Sequence, residues 1–284
     1  MMDTVTTREL QLKLLDIMKV FHEVCEKHNI KYVMLGGTML GAIRHKGFIP
    51  WDDDIDVGIP REDYERLLKL PASEWPENIR IKTPYNSPDL IFPYSKIMNT
   101  DTTLVEDRLD GIIEGIYIDI FPLDGAGNSE RSAKLRFLGY YWKQGLLFNN
   151  QDYGEKKTAL RRLVQRYARS RNVKKLYRSL EKWMRKLDYN KSNIIGNYAG
   201  AWGFKEFMPK EVIETPELYD FEHLRLFGAR DADRYLKSLY GNYMQLPPAE
   251  KRKSHHNFKY INLELPFEEY RKHRKSEEKQ GENR

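Results

Sequence analysis

Leu14, Leu15, Met18, Phe21, Val24 and Cys25 recur at helical spacing, which predicts a helix over "TTRELQLKLLDIMKVFHEVCEKHNI". Thr6 and Glu9, three residues apart, fit a capping box at its start. After that helix the apolar runs shorten. "KYVMLGG" reads as a brief strand ending in a glycine pair, "TMLGAIRHKG" as a short helix, and "DIDVGI" as a second strand. "REDYERLLKL" reads as a helix stopped before Pro71, and "NIRIKTPY", "FPYSKIMN" and "TTLVED" as three strands with turns between them. The clearest strand is "GIYIDIFPLDG", where Ile116, Ile118 and Ile120 alternate with Tyr117, Asp119 and Phe121. Beyond Asn128 the period becomes helical, through "SERSAKLRFLGYYWKQGLLF" and then over roughly 155–188. "YDFEHLRLFGA" reads as a hairpin or an extended segment, "ADRYLKSLY" as a helix, and "GNYMQLPPAEKRKSHHNF" as a loop. The polar tail after residue 270 reads as frayed.

Strands mixed with helices, followed by a helical stretch, predict an α/β or α+β core carrying a largely helical insertion. The expected division is a core over 1–127, a basic helical region over 128–192, a C-terminal part over 193–270 and a tail over 271–284. The single cysteine, Cys25, rules out an internal disulfide and falls on the apolar face of the first helix, which suits a core position. The start "MMDTVTTREL" has neither a basic segment nor an apolar run, and no window approaches a membrane span, so a cytoplasmic protein is expected.

Charge is distributed unevenly. Arg131–Lys191 holds 18 Lys/Arg against 4 Asp/Glu, a local balance of +14 within a chain of net charge +6. The chain is therefore an acidic body with a basic limb. In the limb's first helix Leu135, Phe137, Leu138, Tyr141, Trp142, Leu146 and Phe148 are expected to pack on the core; the alternative is a membrane interface.

The acidic body contains "GFIPWDDDIDVGIP", with Asp52, Asp53, Asp54 and Asp56 inside five residues. Like charges this close repel, and strand interiors usually exclude Asp. In a strand Asp54 and Asp56 share a face while Ile55 and Val57 turn to the core. A divalent cation with oxygen ligands reverses the sign of that repulsion, and Asp119 on the later strand is a third candidate ligand. The plain alternative is a solvated acidic turn, with Asp52 and Asp53 as caps. An EF-hand starting at Asp52 fails, because Val57 and Asp63 stand at the sixth and twelfth positions, where Gly and Glu are needed. Gly36 and Gly37 sit between a strand and a helix, where close backbone approach and free N–H groups suit a phosphate, with Thr38 as cap or phosphate ligand. Arg44 follows on that helix, its alternative being a surface charge; Lys96 is a candidate phosphate contact or a solvated strand lysine. His255 and His256, in the late loop, are candidate substrate contacts or surface histidines.

The stretch "LGGTMLGAIRHKGFIPWDDDIDVGIPREDYERL", with "YSKIMNTDTTL", "GIYIDIFPLDG" and "LYGNYMQLPPAEKRKSHHNF", resembles the LicD family, within the nucleotidyltransferase superfold that includes the fukutin-related proteins. The resemblance runs through most of residues 30–125 and resumes at about 235–258. It implies a small mixed sheet flanked by helices, with Asp54, Asp56 and Asp119 as catalytic and metal-binding carboxylates for Mg²⁺ or Mn²⁺. It implies donor contacts at Gly36 and Gly37, and a C-terminal part that completes the site. It further implies transfer of a phospho-alcohol such as phosphocholine from a CDP-alcohol donor to a hydroxyl of a glycan or teichoic-acid-type polymer. For an anionic or lipid-linked acceptor made at the inner face of the membrane, the basic limb is expected to bring enzyme and acceptor together by peripheral contact. Two other classes remain open on the residues alone. A D-x-D glycosyltransferase would need a nucleotide-binding half ahead of the acidic run, and only about fifty residues precede it. A nucleic-acid-binding protein would use the basic limb but has no role for three aspartates, so no nucleic acid is expected.

Overall fold

The computed structural model describes residues 5–87, 92–107, 112–150, 159–254 and 258–281. Helix α1 (Thr7–Lys27) opens on the capping box formed by Thr6 and Glu9, and buries Leu14, Leu15, Met18, Phe21 and Cys25. Strand β1 (Val33–Met34), helix α2 (Gly36–His45), strand β2 (Asp56–Pro60) and helix α3 (Arg61–Leu67) follow. Next come β3 (Ile79–Lys82), β4 (Ser95–Glu106) and β5 (Ile113–Gly127). The limb is α4 (Glu130–Asn150), α5 (Ala159–Arg169) and α6 (Val173–Met184). The chain ends through β6 (Ile194–Asn197), β7 (Phe207–Pro209), the β8 (Glu217–Phe221) and β9 (Leu224–Gly228) hairpin, α7 (Ala232–Tyr240), β10 (Phe258–Asn262) and α8 (Phe267–Gly281).

Among the described residues, eight strands form one mixed sheet along the path β1-β2-β5-β4-β10, with β3 on β4 and β6 and β7 beyond β5. The β2–β5 pairing is parallel and the others are antiparallel. This is the expected mixed sheet with a helical addition. The alternating isoleucines of β5, Ile116, Ile118 and Ile120, are fully buried in the main core. Arg61, at the start of α3, donates two hydrogen bonds to Asp124 of β5, at 2.8 and 2.5 Å. That buried pair ties the end of β2 to β5.

Four details depart from the sequence reading. The strands expected at "FPYSKIMN" and "TTLVED" are one strand, β4, whose register against β5 shifts between Asn99 and Leu104. Strands β6 and β7 were not anticipated, being short and next to glycines. The tail is helical from Phe267 to Gly281, where Tyr270 stacks on Tyr260 at 4.6 Å and Arg80 pairs with Glu268 at 2.8 Å. The apolar residues of α4 divide. Tyr140 and Leu147 enter a second core with Ala126, Ala133, Leu180, Met184, Tyr198 and Phe207. Leu135, Leu138, Tyr141 and Trp142 do not pack inward but stand exposed.

Candidate active site

The site begins with strand register. Asp56 of β2 is paired in parallel with Asp119 of β5, and Asp119 N–H donates to Ile55 C=O at 2.9 Å. Residues in register on adjacent strands project to the same face. Across the other edge of β5, Asp119 lies opposite Lys96 of β4, and Lys96 opposite Lys82 of β3. One row thus crosses four strands as Asp56, Asp119, Lys96, Lys82.

Strand β2 starts only at Asp56, so Asp54 comes from the turn before it rather than from strand alternation. Asp54 still joins the group, because it and Asp119 line one small cavity with Asp53 and Tyr117. Carboxylate oxygens of Asp52, Asp53 and Asp54 lie within 4.8 Å of one another. Burial first, then the charges of Asp54, Asp119, Asp52 and Glu206, pushes the Asp56 carboxyl well above the ordinary carboxylate range. The structure therefore brings Asp54, Asp56 and Asp119 together and adds Asp52 and Asp53, which the sequence reading had set aside as caps. The donor set is all oxygen and strongly anionic, and it fits a hard divalent cation such as Mg²⁺ or Mn²⁺, whose charge would relieve the repulsion.

The glycine pair serves the aspartates directly. Gly36 has φ +48, a left-handed conformation that suits glycine, and its N–H donates to the Tyr235 hydroxyl at 2.8 Å. A Cβ on Gly37 would come 2.6 Å from Asp52 Oδ2, so the bare glycine makes room for that carboxylate. The Thr38 hydroxyl, expected as a helix cap or phosphate ligand, accepts a hydrogen bond from Asp56 N–H at 2.9 Å and fixes the start of β2. The N–H groups of Gly37 and Thr38 remain in the first turn of α2, where helical N–H groups lack intrahelical partners.

Arg44 is half-buried, not a free surface charge. It donates to Tyr243 C=O at 2.8 Å and to His45 Nε2 at 2.9 Å. Burial and the neighbouring Arg252 lower its pKa, opposed by Tyr240. Arg252 lies 5.8 Å over the ring of Trp51, the residue before Asp52, and its charge acts on Arg44. Lys96 is neither an open phosphate contact nor a solvated lysine. It is buried, 2.6 Å from Glu114 and 3.4 Å from the centre of the Tyr117 ring. Burial pulls its pKa down, but Glu114, Asp119 and Glu106 outweigh that and raise it. Lys82 holds the other Glu114 oxygen at 2.7 Å, so this pair of lysines offsets charge beneath Asp119. His255 and His256 lie outside the described residues. The loop that leads to them reaches the site, since the Ser254 hydroxyl donates to Asp53.

Sequence reasoning missed Trp51, although it adjoins Asp52, and missed Arg252, Tyr235 and Glu206, which tertiary contacts deliver and local patterns do not encode. Glu206 is buried next to Asn197 and Trp202, whose hydrogen bonds at 2.8 and 2.9 Å favour its charged form, yet burial pushes it up to about 7.

A strand, a glycine turn into a helix, and carboxylates meeting from two parallel strands are the arrangement expected of a nucleotidyltransferase-type domain. The sequence model described as LicD/FKTN/FKRP, nucleotidyltransferase domain, matches residues 29–166. The lipopolysaccharide cholinephosphotransferase LicD of Haemophilus influenzae is 33% identical over 270 residues, covering 90% of this chain and 97% of that protein. The ribitol 5-phosphate transferase FKRP of Homo sapiens is 43% identical over 51 residues, 18% of this chain and 10% of that protein. The chain belongs to the LicD family and is a transferase of that family.

Proposed function

We propose that the protein transfers a phospho-alcohol from a CDP-activated donor to a hydroxyl of a cell-surface glycan, using Mg²⁺ or Mn²⁺. The observation that carries this reading is the in-register pair Asp56–Asp119, with Asp54 on the same cavity as Asp119. The relatives support both ends of the reaction. One is a cholinephosphotransferase named for lipopolysaccharide and the other a ribitol 5-phosphate transferase. An anionic or lipid-linked acceptor at the inner face of the membrane fits this reading.

Such transfer needs positioning and charge neutralisation more than covalent help. The acceptor oxygen attacks the phosphorus bearing the alcohol, and the bond from that phosphorus to the CMP oxygen breaks. Asp54, Asp56 and Asp119 would hold the divalent ion, which when bound withdraws charge from the donor phosphates and the departing CMP. The Gly37 and Thr38 N–H groups orient a donor phosphate at the start of α2. Arg44 and its neighbour Arg252 supply positive charge to the donor phosphates. A carboxylate oxygen of Asp119 accepts the proton of the attacking hydroxyl.

Purified protein with Mg²⁺, a glycan acceptor and a panel of CDP-alcohols should release CMP with the matching donor, and chelation should stop it. Turnover of UDP-sugars with no CMP from any CDP-alcohol would replace this reading with a D-x-D glycosyltransferase.

A further inference from the structure

The side of helix α4 that faces away from the protein carries four large apolar residues. Arg131, Lys134, Leu135, Leu138, Tyr141 and Trp142 recur at spacings of three and four, so they lie along one face. Leu135, Leu138, Tyr141 and Trp142 are 60–69% exposed. The opposite face carries Ala133, Tyr140 and Leu147 into the second core, shared with Ala126, Tyr198 and Phe207 of the sheet side. An ordinary surface helix has a polar outer face, whereas this one turns from Arg131 and Lys134 to large apolar residues.

A groove of about 570 Å³ adjoins the stripe, with Lys143, Arg178, Lys182, Arg185, Lys186 and one acid, Glu181, around the Trp183 ring. Arg185 is paired with Glu65 at 2.6 Å, which leaves four cations and Glu181 to give the groove its positive balance. Trp183 packs against Gly139, where a Cβ would have no room, and donates from its indole N–H to Arg136 C=O at 2.9 Å. Gly139 lies three residues before Trp142, next to it on the helix surface. Stripe and groove therefore form one continuous surface.

We propose that this surface docks the protein on an anionic lipid bilayer. Leu135, Leu138, Tyr141 and Trp142 enter the boundary between headgroups and acyl chains, and the groove cations meet lipid phosphates. Trp and Tyr favour that boundary because they combine an apolar ring with a polar atom. Charge selects the occupant. A second copy would bring two like-charged limbs together, each with 18 Lys/Arg against 4 Asp/Glu over Arg131–Lys191, while anionic lipid supplies the opposite sign. A helix lying in the surface needs no spanning length, and among the described residues no helix is long and apolar enough to cross a membrane. Strand β5 runs from Asp119 to Gly127 just ahead of α4, so docking holds the acidic site about 26 Å along the strand from the limb. The inference is independent of which donor the active site takes.

The test is sedimentation of the full chain with phosphatidylcholine vesicles, with and without phosphatidylglycerol. The protein should sediment with the anionic vesicles only. Salt at about 1 M, where the screening length falls to about 3 Å, should release most of it. Joint Leu135→Ser, Leu138→Ser and Trp142→Ser, or joint Arg178→Glu and Lys182→Glu, should each lower partitioning by about tenfold or more while circular dichroism stays unchanged. No binding, equal binding to neutral vesicles, or binding unaffected by both variants overturns the proposal. A dimer in solution that the serine variant dissolves would also overturn it, by giving the face to a second copy.

Discussion

Charge is handled in opposite ways in the sheet and in the limb. In the sheet Asp56, Asp119, Lys96 and Lys82 are set in a row by backbone register and largely enclosed, and the Arg61–Asp124 pair is buried at the other end of the β2–β5 pairing. In the limb Arg162, Arg166 and Arg169 of α5 and Lys174, Lys175, Arg178 and Lys182 of α6 are exposed, and Leu135, Leu138, Tyr141 and Trp142 of α4 join them there. A buried charge acts strongly on its neighbours and is costly to leave alone, whereas an exposed one is screened and cheap to change. The sheet can therefore perform chemistry with few charges, while the limb needs many to act on a surface.

That contrast is open to direct attack. Arg61→Met strands the buried Asp124 carboxylate and should cost about 3–5 kcal/mol of stability, read from chemical denaturation. A smaller loss would mean that buried pairs in this sheet are not special.

Glu206→Gln sharpens the comparison through pH. The folded protein holds the Glu206 proton up to about 7, while the unfolded chain releases it in the ordinary carboxylate range. Stability should fall as pH rises from about 4.5 through about 7, by about 3 kcal/mol, and level off above. The glutamine variant should flatten that slope, as measured by denaturation midpoints across the range.

Gly37→Ala places a methyl against Asp52 and should displace the acidic turn, lowering turnover on the order of 10²-fold with a normal far-UV spectrum. Full activity would show that the turn tolerates displacement. The smallest effect belongs to the limb. Lys182→Met removes an exposed cation of α6 and should change stability by no more than about 0.5 kcal/mol.

Much of this was legible in the sequence because it rests on local periods. The β5 alternation fixed which residues face the core, and Thr6 and Glu9 gave the start of α1. The meeting of Asp56 with Asp119 was expected from two strands that each carry an aspartate between large apolar residues. Partners were not legible. The ammonium of Lys96 is taken by Glu114, a residue that lies opposite Leu104 in the register and meets Lys96 only as a tertiary contact. The Thr38 hydroxyl binds a backbone group of the next strand, 18 residues on, which no spacing rule announces. The apolar content of α4 was visible, but its direction depends on where α6 packs, and that is a tertiary fact.

The central claim is that the aspartate row holds a divalent cation. Mn²⁺ binding, followed by electron paramagnetic resonance on wild type and Asp56→Asn, tests it without requiring the substrate. Wild type should bind the ion and gain thermal stability from it. The variant should lose that binding yet, without metal, melt no lower than wild type, because its neutral amide removes the repulsion around Asp56. Equal Mn²⁺ affinity in the two proteins would contradict the account.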